Sequence, residues 1–224
     1  MGDFDLPPPP RRGDILFRAD QGLWTVNACM NPGDEFPYRE GYRRGAHQLV
    51  EYVCSQSQDQ DFLVYPIIYL YRHHVELVLK RLLPLAADLT GEDLSEKCLR
   101  DLDQHRIDEL WNNFKYFLKK ERITKHCGVE IAADDFAGLN SYIQQLLKID
   151  PDAQAFRYSH RKTGEASLPE TLTHVNLAVF GDHMESLCNY LDCIDSQLDR
   201  MRELRNEMEA YYRERVSEYV DGAW

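Results

Sequence analysis

The chain has 224 residues, enough for one domain with a sizeable core, and 43% hydrophobic with 29% charged residues is a globular composition. Its net charge of −12 argues against generic coating of nucleic acid, which usually needs a basic face. No apolar run reaches the roughly 20 residues that span a bilayer. The start of the chain, with two aspartates and four prolines, does not resemble a secretory signal. These features predict a cytoplasmic protein with no membrane partner.

The N-terminal region, 1–36, is expected to be an arm outside the main domain. Residues 1–14 are Pro-rich and predict an extended segment. A short β-hairpin is predicted next, because apolar residues alternate on either side of Asp20-Gln21-Gly22. The alternating residues are Ile15, Phe17, Trp24 and Val26.

The remaining sequence predicts an all-α helical bundle over 37–218, followed by a tail over 219–224. Apolar residues recur three and four positions apart in five long segments, the period of an amphipathic helix. The predicted helices cover 37–54, 62–87, 107–120, 134–147 and about 174–218, with a short helix inside the acidic segment 88–104.

The last predicted helix has the most regular pattern in the chain. Its apolar seam runs from Leu177 to Met201 and resumes at Met208 and Tyr212. At 1.5 Å per residue the helix is roughly 65 Å long, which exceeds the length of a small bundle. We therefore expect a homodimer through the 177–212 helix. The alternative is a break near Arg200 that gives two antiparallel helices within one subunit.

The most apolar helix carries the first candidate site, in the segment from Tyr69 to Glu76. Arg72 and Glu76 are four residues apart, and charged groups in so apolar a helix need polar partners. Arg72, His73 and His74 are candidate catalytic residues, because a histidine can act as an acid or base near neutral pH. The alternative is a polar network between helices, or histidines on the outer face.

The loop before the last helix is the densest basic cluster in this acidic chain. Arginine and lysine interleaved with aromatic residues could clamp a phosphate and stack a base. The alternative is a surface hairpin held by local hydrogen bonds and salt bridges. The predicted ligand-binding residues are Arg157, Tyr158, His160, Arg161 and Lys162.

His105 precedes the predicted helix 107–120, where it could cap the helix or serve as a catalytic group. The six cysteines form no CxxC pair, and neither a nucleotide-binding nor a zinc-protease motif is present. We therefore expect no metal and no cofactor.

Two segments resemble the HEPN family of helical domains: LVYPIIYLYRHHVELVLKRLL, which includes Arg72 and His74, and QHRIDELW, which includes His105. Together with the Phe156-Arg157-Tyr158 loop, the similarity extends loosely over residues 38–215. It implies a dimeric, metal-independent ribonuclease of a bacterial defence or toxin system, with RNA as a partner.

Active members of that family carry an arginine and a histidine separated by four to six residues. Arg100 and His105 match this spacing literally, but they precede a helix instead of lying in the last one. The better placed match is Leu204–Tyr212, in which Arg205 and Asn206 are retained and Ala210 replaces the histidine. Arg205 is therefore a further candidate catalytic residue, while Ala210 favours the alternative of an inactive dimeric protein that scaffolds a protein partner.

Overall fold

A computed structural model describes residues 9–221 of the chain. Residues 1–8 of the predicted arm and 222–224 of the predicted tail lie outside the described residues. The described chain is predominantly helical, which confirms the predicted all-α class. It divides into two units, one ending at Glu35 and one starting at Phe36. None of the described helices combines the length and apolarity needed to cross a membrane.

The predicted long helices all form, and their ends agree with the predicted ends to within three residues. They are α1 (Glu35–Gln56), α2 (Gln60–Thr90), α4 (Ile107–Leu118), α5 (Ala133–Ile149) and α6 (Leu177–Asp221). The short helix α3 spans Glu96–Leu102, inside the acidic segment where it was predicted, and one π-helical turn spans Arg122–His126. Because α6 continues to Asp221, part of the predicted tail is helical.

The predicted hairpin over residues 15–28 does not form, and no strand occurs anywhere in residues 9–221. The side chain of Asn27 accepts a hydrogen bond from the backbone of Asp20 and donates one back to it, at 3.0 and 2.8 Å. This exchange closes the segment as a loop that ends in a 3₁₀ turn at Trp24–Val26. The alternating apolar side chains are exposed, so no buried face stabilises strand pairing.

Helix α2 is the centre of the bundle. Its 31 residues are the most apolar of any long helix, and it packs against both α4 and α6. It ends at Gly91, whose positive φ of 70° is the left-handed conformation that commonly terminates helices and that glycine adopts without steric cost. The fully buried core side chains of α2 include Ile67, Tyr71, Val75, Val78, Leu79, Leu82 and Leu83.

Helix α6 is continuous through Arg200, so the predicted alternative of a break there does not occur. The first part of its apolar seam is buried in the core of its own chain, from Leu177 to Leu198. From Leu204 to Val216 the large apolar residues are exposed. The part of the seam before Met201 therefore covers the bundle itself and is not available to a second subunit.

Gly181 of α6 packs directly against Val50 of α1, and this contact yields a stability prediction. A Cβ atom at Gly181 would lie 2.9 Å from Val50 Cγ1, a contact that β-branched valine cannot easily relieve. Overpacking costs about 1–3 kcal/mol, more than the roughly 1 kcal/mol that alanine gains over glycine in a helix. Gly181→Ala is therefore expected to lower the free energy of unfolding in urea titrations.

Gly138 in α5 is the matched control, because a Cβ atom there meets nothing within 4 Å. Gly138→Ala should raise the free energy of unfolding by about 0.5–1 kcal/mol. Val50→Ala removes the two methyl groups that the new Cβ atom would meet. Gly181→Ala should therefore lower the free energy of unfolding less in a Val50→Ala protein than in the wild-type protein. An equal gain in stability from the two glycine substitutions would contradict this packing.

Candidate functional site

Arg72 lies fully inside the bundle, with 1% of its surface exposed. Its Nη1 lies 3.3 Å from Glu76 Oε2, one helical turn further along α2. Its Nε lies 3.1 Å from the Asp150 carboxylate, just after α5, and Nη2 donates to the carbonyl oxygen of His105, just before α4. One buried guanidinium thus joins three segments that are far apart in the sequence. Its burial and its saturated contacts make Arg72 a positioning residue and not a group that meets a substrate.

Glu76 is completely buried and is surrounded by cationic groups. In addition to Arg72, Lys80 Nζ lies 3.1 Å and His105 Nδ1 lies 2.8 Å from its Oε1 atom. Burial opposes ionisation of this carboxyl group, but the hydrogen bonds from His105 and Lys80 prevail and hold its pKa below the ordinary value. Glu76 is therefore a buried carboxylate that holds the His105 ring in place.

His105 presents its ring to solvent, with 56% of the side chain exposed. Because the ionised Glu76 accepts a hydrogen bond, Nδ1 carries a proton, and Nε2 is left for an incoming group. This arrangement replaces the predicted capping role: residue Arg106 is the N-cap of α4, and no side chain caps that helix end. A carboxylate that fixes the tautomer of an exposed imidazole is a common device of acid and base catalysis.

His73 lies close to this pair, on the same side of α2. Its ring stacks on Tyr69 with centroids 5.7 Å apart and meets the edge of Tyr42 at 4.4 Å. Burial lowers the pKa of His73, and the nearby charge of His105 lowers it further, against the opposing effect of Glu76. His73 is consequently biased toward the neutral form, in which imidazole acts as a base.

Arg157 extends the same surface from the loop that follows α5. Its guanidinium lies over the Tyr69 ring, 5.8 Å from the centroid, and over the Tyr158 ring at 5.2 Å. We call the surface formed by Tyr69, His73, His105, Arg157 and Tyr158 the His105 face. The structure thus brings together predicted residues from α2, from the turn before α4 and from the basic loop.

The other predicted ligand-binding residues belong to a separate local turn. His160 forms an isolated bridge with Ala166, and Arg161 is paired with Asp152 at 2.7 Å. Lys162 is exposed at the tip. This matches the predicted alternative of a surface hairpin held by local contacts, so only Arg157 and Tyr158 of the basic loop contribute to the His105 face.

The structure does not bring two predicted catalytic residues to this face. His74 is completely buried, with Nδ1 2.9 Å from the carbonyl oxygen of Arg39, and burial lowers its pKa. Arg205 binds Asp88 at the end of α2, with Nη2 2.6 Å from the carboxylate. Asp88 lies sixteen residues after Arg72, or about 24 Å along the helix. Both side chains therefore support the packing of the bundle.

The sequence does not indicate three residues that contact the site: Asp150, Lys80 and Tyr42. The pairing of Arg72 with Glu76 is visible as a four-residue spacing, but Asp150 is 78 positions from Arg72 and follows an ordinary helix end. No spacing rule links such positions. No cluster of residues suited to a metal ion occurs in the described part of the chain.

No protein-family model, curated protein or solved structure matches this chain.

Substitution of Arg72 and of Arg157 should separate the buried network from the exposed surface. Arg72→Ala leaves the buried Glu76 and Asp150 carboxylates without their shared cation, which is expected to cost about 3–5 kcal/mol of unfolding free energy. Arg157→Ala removes an exposed side chain and should change that free energy by about 0.5 kcal/mol or less. Urea denaturation followed by circular dichroism measures both. Similar small losses of unfolding free energy in the two variants would show that the buried carboxylates do not depend on Arg72.

Proposed function

We propose that the protein is a metal-independent ribonuclease whose catalytic centre is the His105 face. The observation that carries this proposal is the 2.8 Å contact between the exposed His105 ring and the buried Glu76 carboxylate. A second histidine and an arginine lie beside that pair, which is the minimal set for moving two protons at a phosphodiester. We place this activity in the cytoplasm, as part of a bacterial defence or toxin system.

The proposed reaction needs only groups that this surface contains. His73, biased toward its neutral form, removes the proton from the ribose hydroxyl next to the scissile phosphate. That oxygen attacks phosphorus, and the bond from phosphorus to the oxygen of the following ribose breaks. His105 in its protonated form donates a proton to the departing oxygen. The products are a cyclic phosphate and a new terminal hydroxyl, with no oxidant, reductant or metal ion.

Arg157 supplies the positive charge for the phosphate, which gains negative charge in the transition state. Tyr69 and Tyr158 both lie against its guanidinium, and the exposed Tyr158 offers a ring surface on which an unpaired base can stack. Single-stranded RNA is the substrate that suits such a surface, because its bases are accessible for stacking.

The resemblance to HEPN ribonucleases supports the activity, with a changed location for the acid and base. In the segment that resembles the family motif, Arg205 is engaged with Asp88, and Ala210 has no ionisable side chain. We infer that His73 and His105 provide in this chain the proton transfers that the family assigns to its last helix.

Cleavage of single-stranded RNA in the presence of a chelator tests this proposal. His105→Ala and His73→Ala are each expected to reduce the rate about 10²–10⁴-fold, the usual contribution of one acid or base. His47→Ala is the matched control, because this half-exposed histidine of α1 faces Glu51 and Glu185, which are not part of the His105 face. Folding of each variant is checked by circular dichroism. Failure of the folded wild-type protein to cleave RNA would exclude the proposal.

The pH profile of the same reaction provides a second readout. A base must be deprotonated, and the pKa of His73 is lowered in the folded protein. Activity is therefore expected to persist as pH falls through about 6.5, the ordinary pKa of histidine, and to be lost only below it. A profile that already declines above that value would contradict the assignment of His73.

A second candidate function is that of a dimeric interaction protein, and the exposed end of α6 favours it. Four apolar residues recur at four-residue spacing on this segment and are 38–62% exposed: Leu204, Met208, Tyr212 and Val216. Arginine and glutamate alternate beside them in the sequence, so the segment is complementary in charge to a second copy of itself. We propose that two chains pair along residues 204–216.

Light scattering of the intact protein tests this pairing. Met208→Glu combined with Tyr212→Glu places charges on the stripe and should reduce the measured mass from two chains to one. Val179→Glu is the matched control on the same helix, because Val179 is also exposed but lies at the opposite end of α6. A wild-type mass of one chain across the accessible concentration range would contradict the proposed dimer.

A further inference from the structure

An open groove of about 620 Å³ lies between α4 and α5, and this volume is within the range of small-molecule sites. None of its residues belongs to the His105 face. No aspartate or glutamate lines it within the described part of the chain, although the net charge of the chain is −12. The side chains that line it include Asn112, Lys115 and Tyr116 of α4, Lys119 just after that helix, and Phe136 and Asn140 of α5.

The groove carries two lysines whose charges the chain itself does not balance. Lys115 and Lys119 are one helical turn apart, and neither forms an ion pair with any described residue. The lysine next to them in the sequence behaves differently, because Lys120 Nζ lies 2.9 Å from the carboxylate of Glu92. Side chains four residues apart on a helix have Cβ atoms about 5–6 Å apart, so both free ammonium groups can reach one ligand.

Asn140 adds a neutral donor whose orientation is fixed from behind. Trp111 Nε1 is a donor only, and it lies 2.9 Å from Asn140 Oδ1. The indole ring is fully buried and stacks on Phe136 with centroids 5.9 Å apart, so this contact is held in place. Lys115 Nζ makes one long contact with the same oxygen, at 3.4 Å, and keeps further N–H groups free. Asn140 Nδ2 is accessible and donates to no described residue, which leaves it for a ligand in the groove.

We propose that this groove binds the dianionic phosphate group of a small phosphomonoester. Two ammonium groups balance the two charges that such a group carries near neutral pH, and the Asn140 amide donates to a further oxygen. The Phe136 and Tyr116 side chains give the organic part of the ester an apolar surface beside the lysines. A phosphodiester carries one charge and would leave one lysine unbalanced, so the groove is not a second site for an RNA backbone. The proposal does not depend on the proposed ribonuclease activity.

Proton–nitrogen correlation NMR of the full-length protein tests the proposal with phenyl phosphate as the probe. The side-chain amide signal of Asn140 is expected to shift with a saturable dependence on phenyl phosphate concentration. The side-chain amide of Asn113 is the internal control, because its Nδ2 donates to Asp101 at 3.1 Å and does not line the groove. No saturable shift of the Asn140 signal, or equal shifts of both signals, would overturn the proposal.

Benzenesulfonate examines the requirement for a dianion, because it has the same ring and a tetrahedral head group with one charge. At about pH 7.5 it should bind about fivefold more weakly than phenyl phosphate, since one partly exposed charge pair is lost. Binding of phenyl phosphate should weaken as pH falls through about 6, where its second proton is taken up, and binding of benzenesulfonate should not change. Equal affinities of the two probes at the higher pH would overturn the assignment of a dianion.

Three variants locate the bound phosphate, with phosphorus NMR of phenyl phosphate as the readout and circular dichroism as the check of folding. Lys119→Gln should weaken binding about fivefold. Lys162→Gln is the matched control, because it removes one exposed charge outside the groove and alters the net charge equally. Asn140→Asp keeps an oxygen for Trp111 but replaces the donor with a carboxylate oxygen, and it should abolish binding. Equal weakening in the two lysine variants, or retained binding in a folded Asn140→Asp protein, would overturn the proposal.

Discussion

The buried charge of Arg72 is the constraint on which the functional surface depends. A cation inside an apolar helix bundle is tolerated only when anionic and carbonyl oxygens surround it. Glu76 supplies one such oxygen from the same helix, but the others come from Asp150 and from the backbone of His105. The turn before α4 and the loop after α5 are thereby fixed against one point of α2. His105 and Arg157 reach the same side of the bundle because these two segments are fixed there.

This arrangement also shows how a chain of net charge −12 can offer a surface to an anion. The carboxylates of Glu76 and Asp150, which lie behind the His105 face, are buried and paired with Arg72 and Lys80, so their charge is locally balanced. Further carboxylates of α6 are matched by arginines of other helices, of which the Arg39–Asp195 pair at 3.0 Å is one. The excess negative charge is thus carried elsewhere on the chain, and Arg157 remains exposed. Net charge alone is a poor guide to a local surface.

Helix positions could be predicted from the sequence because periodicity is a local property that survives folding. The spacing of Leu110, Trp111 and Phe114 in α4 corresponds directly to three buried side chains. Contacts between distant segments have no such signal. The sequence leaves His105 as either a helix cap or a catalytic group, because its partner Glu76 lies 29 positions earlier and no spacing rule links the two. The seam of α6 shows the same limit: an apolar stripe indicates that a helix face is covered, but not by which surface. Up to Met201 its own core covers it.

Asp150 holds the start of the basic loop and the Arg72 guanidinium through opposite oxygens of one carboxylate. Oδ1 holds the backbone of the following turn, in which Ala153 has the strained positive φ of 61°, and Arg157 follows two residues after this anchored segment. Oδ2 lies 3.1 Å from Arg72 Nε, and Arg72 Nη2 in turn donates to the carbonyl oxygen of His105. One carboxylate therefore connects the turn that presents Arg157 to the cation that fixes the backbone of His105. This connection explains why an exposed arginine and an exposed histidine from segments about fifty residues apart are held on one side of the bundle.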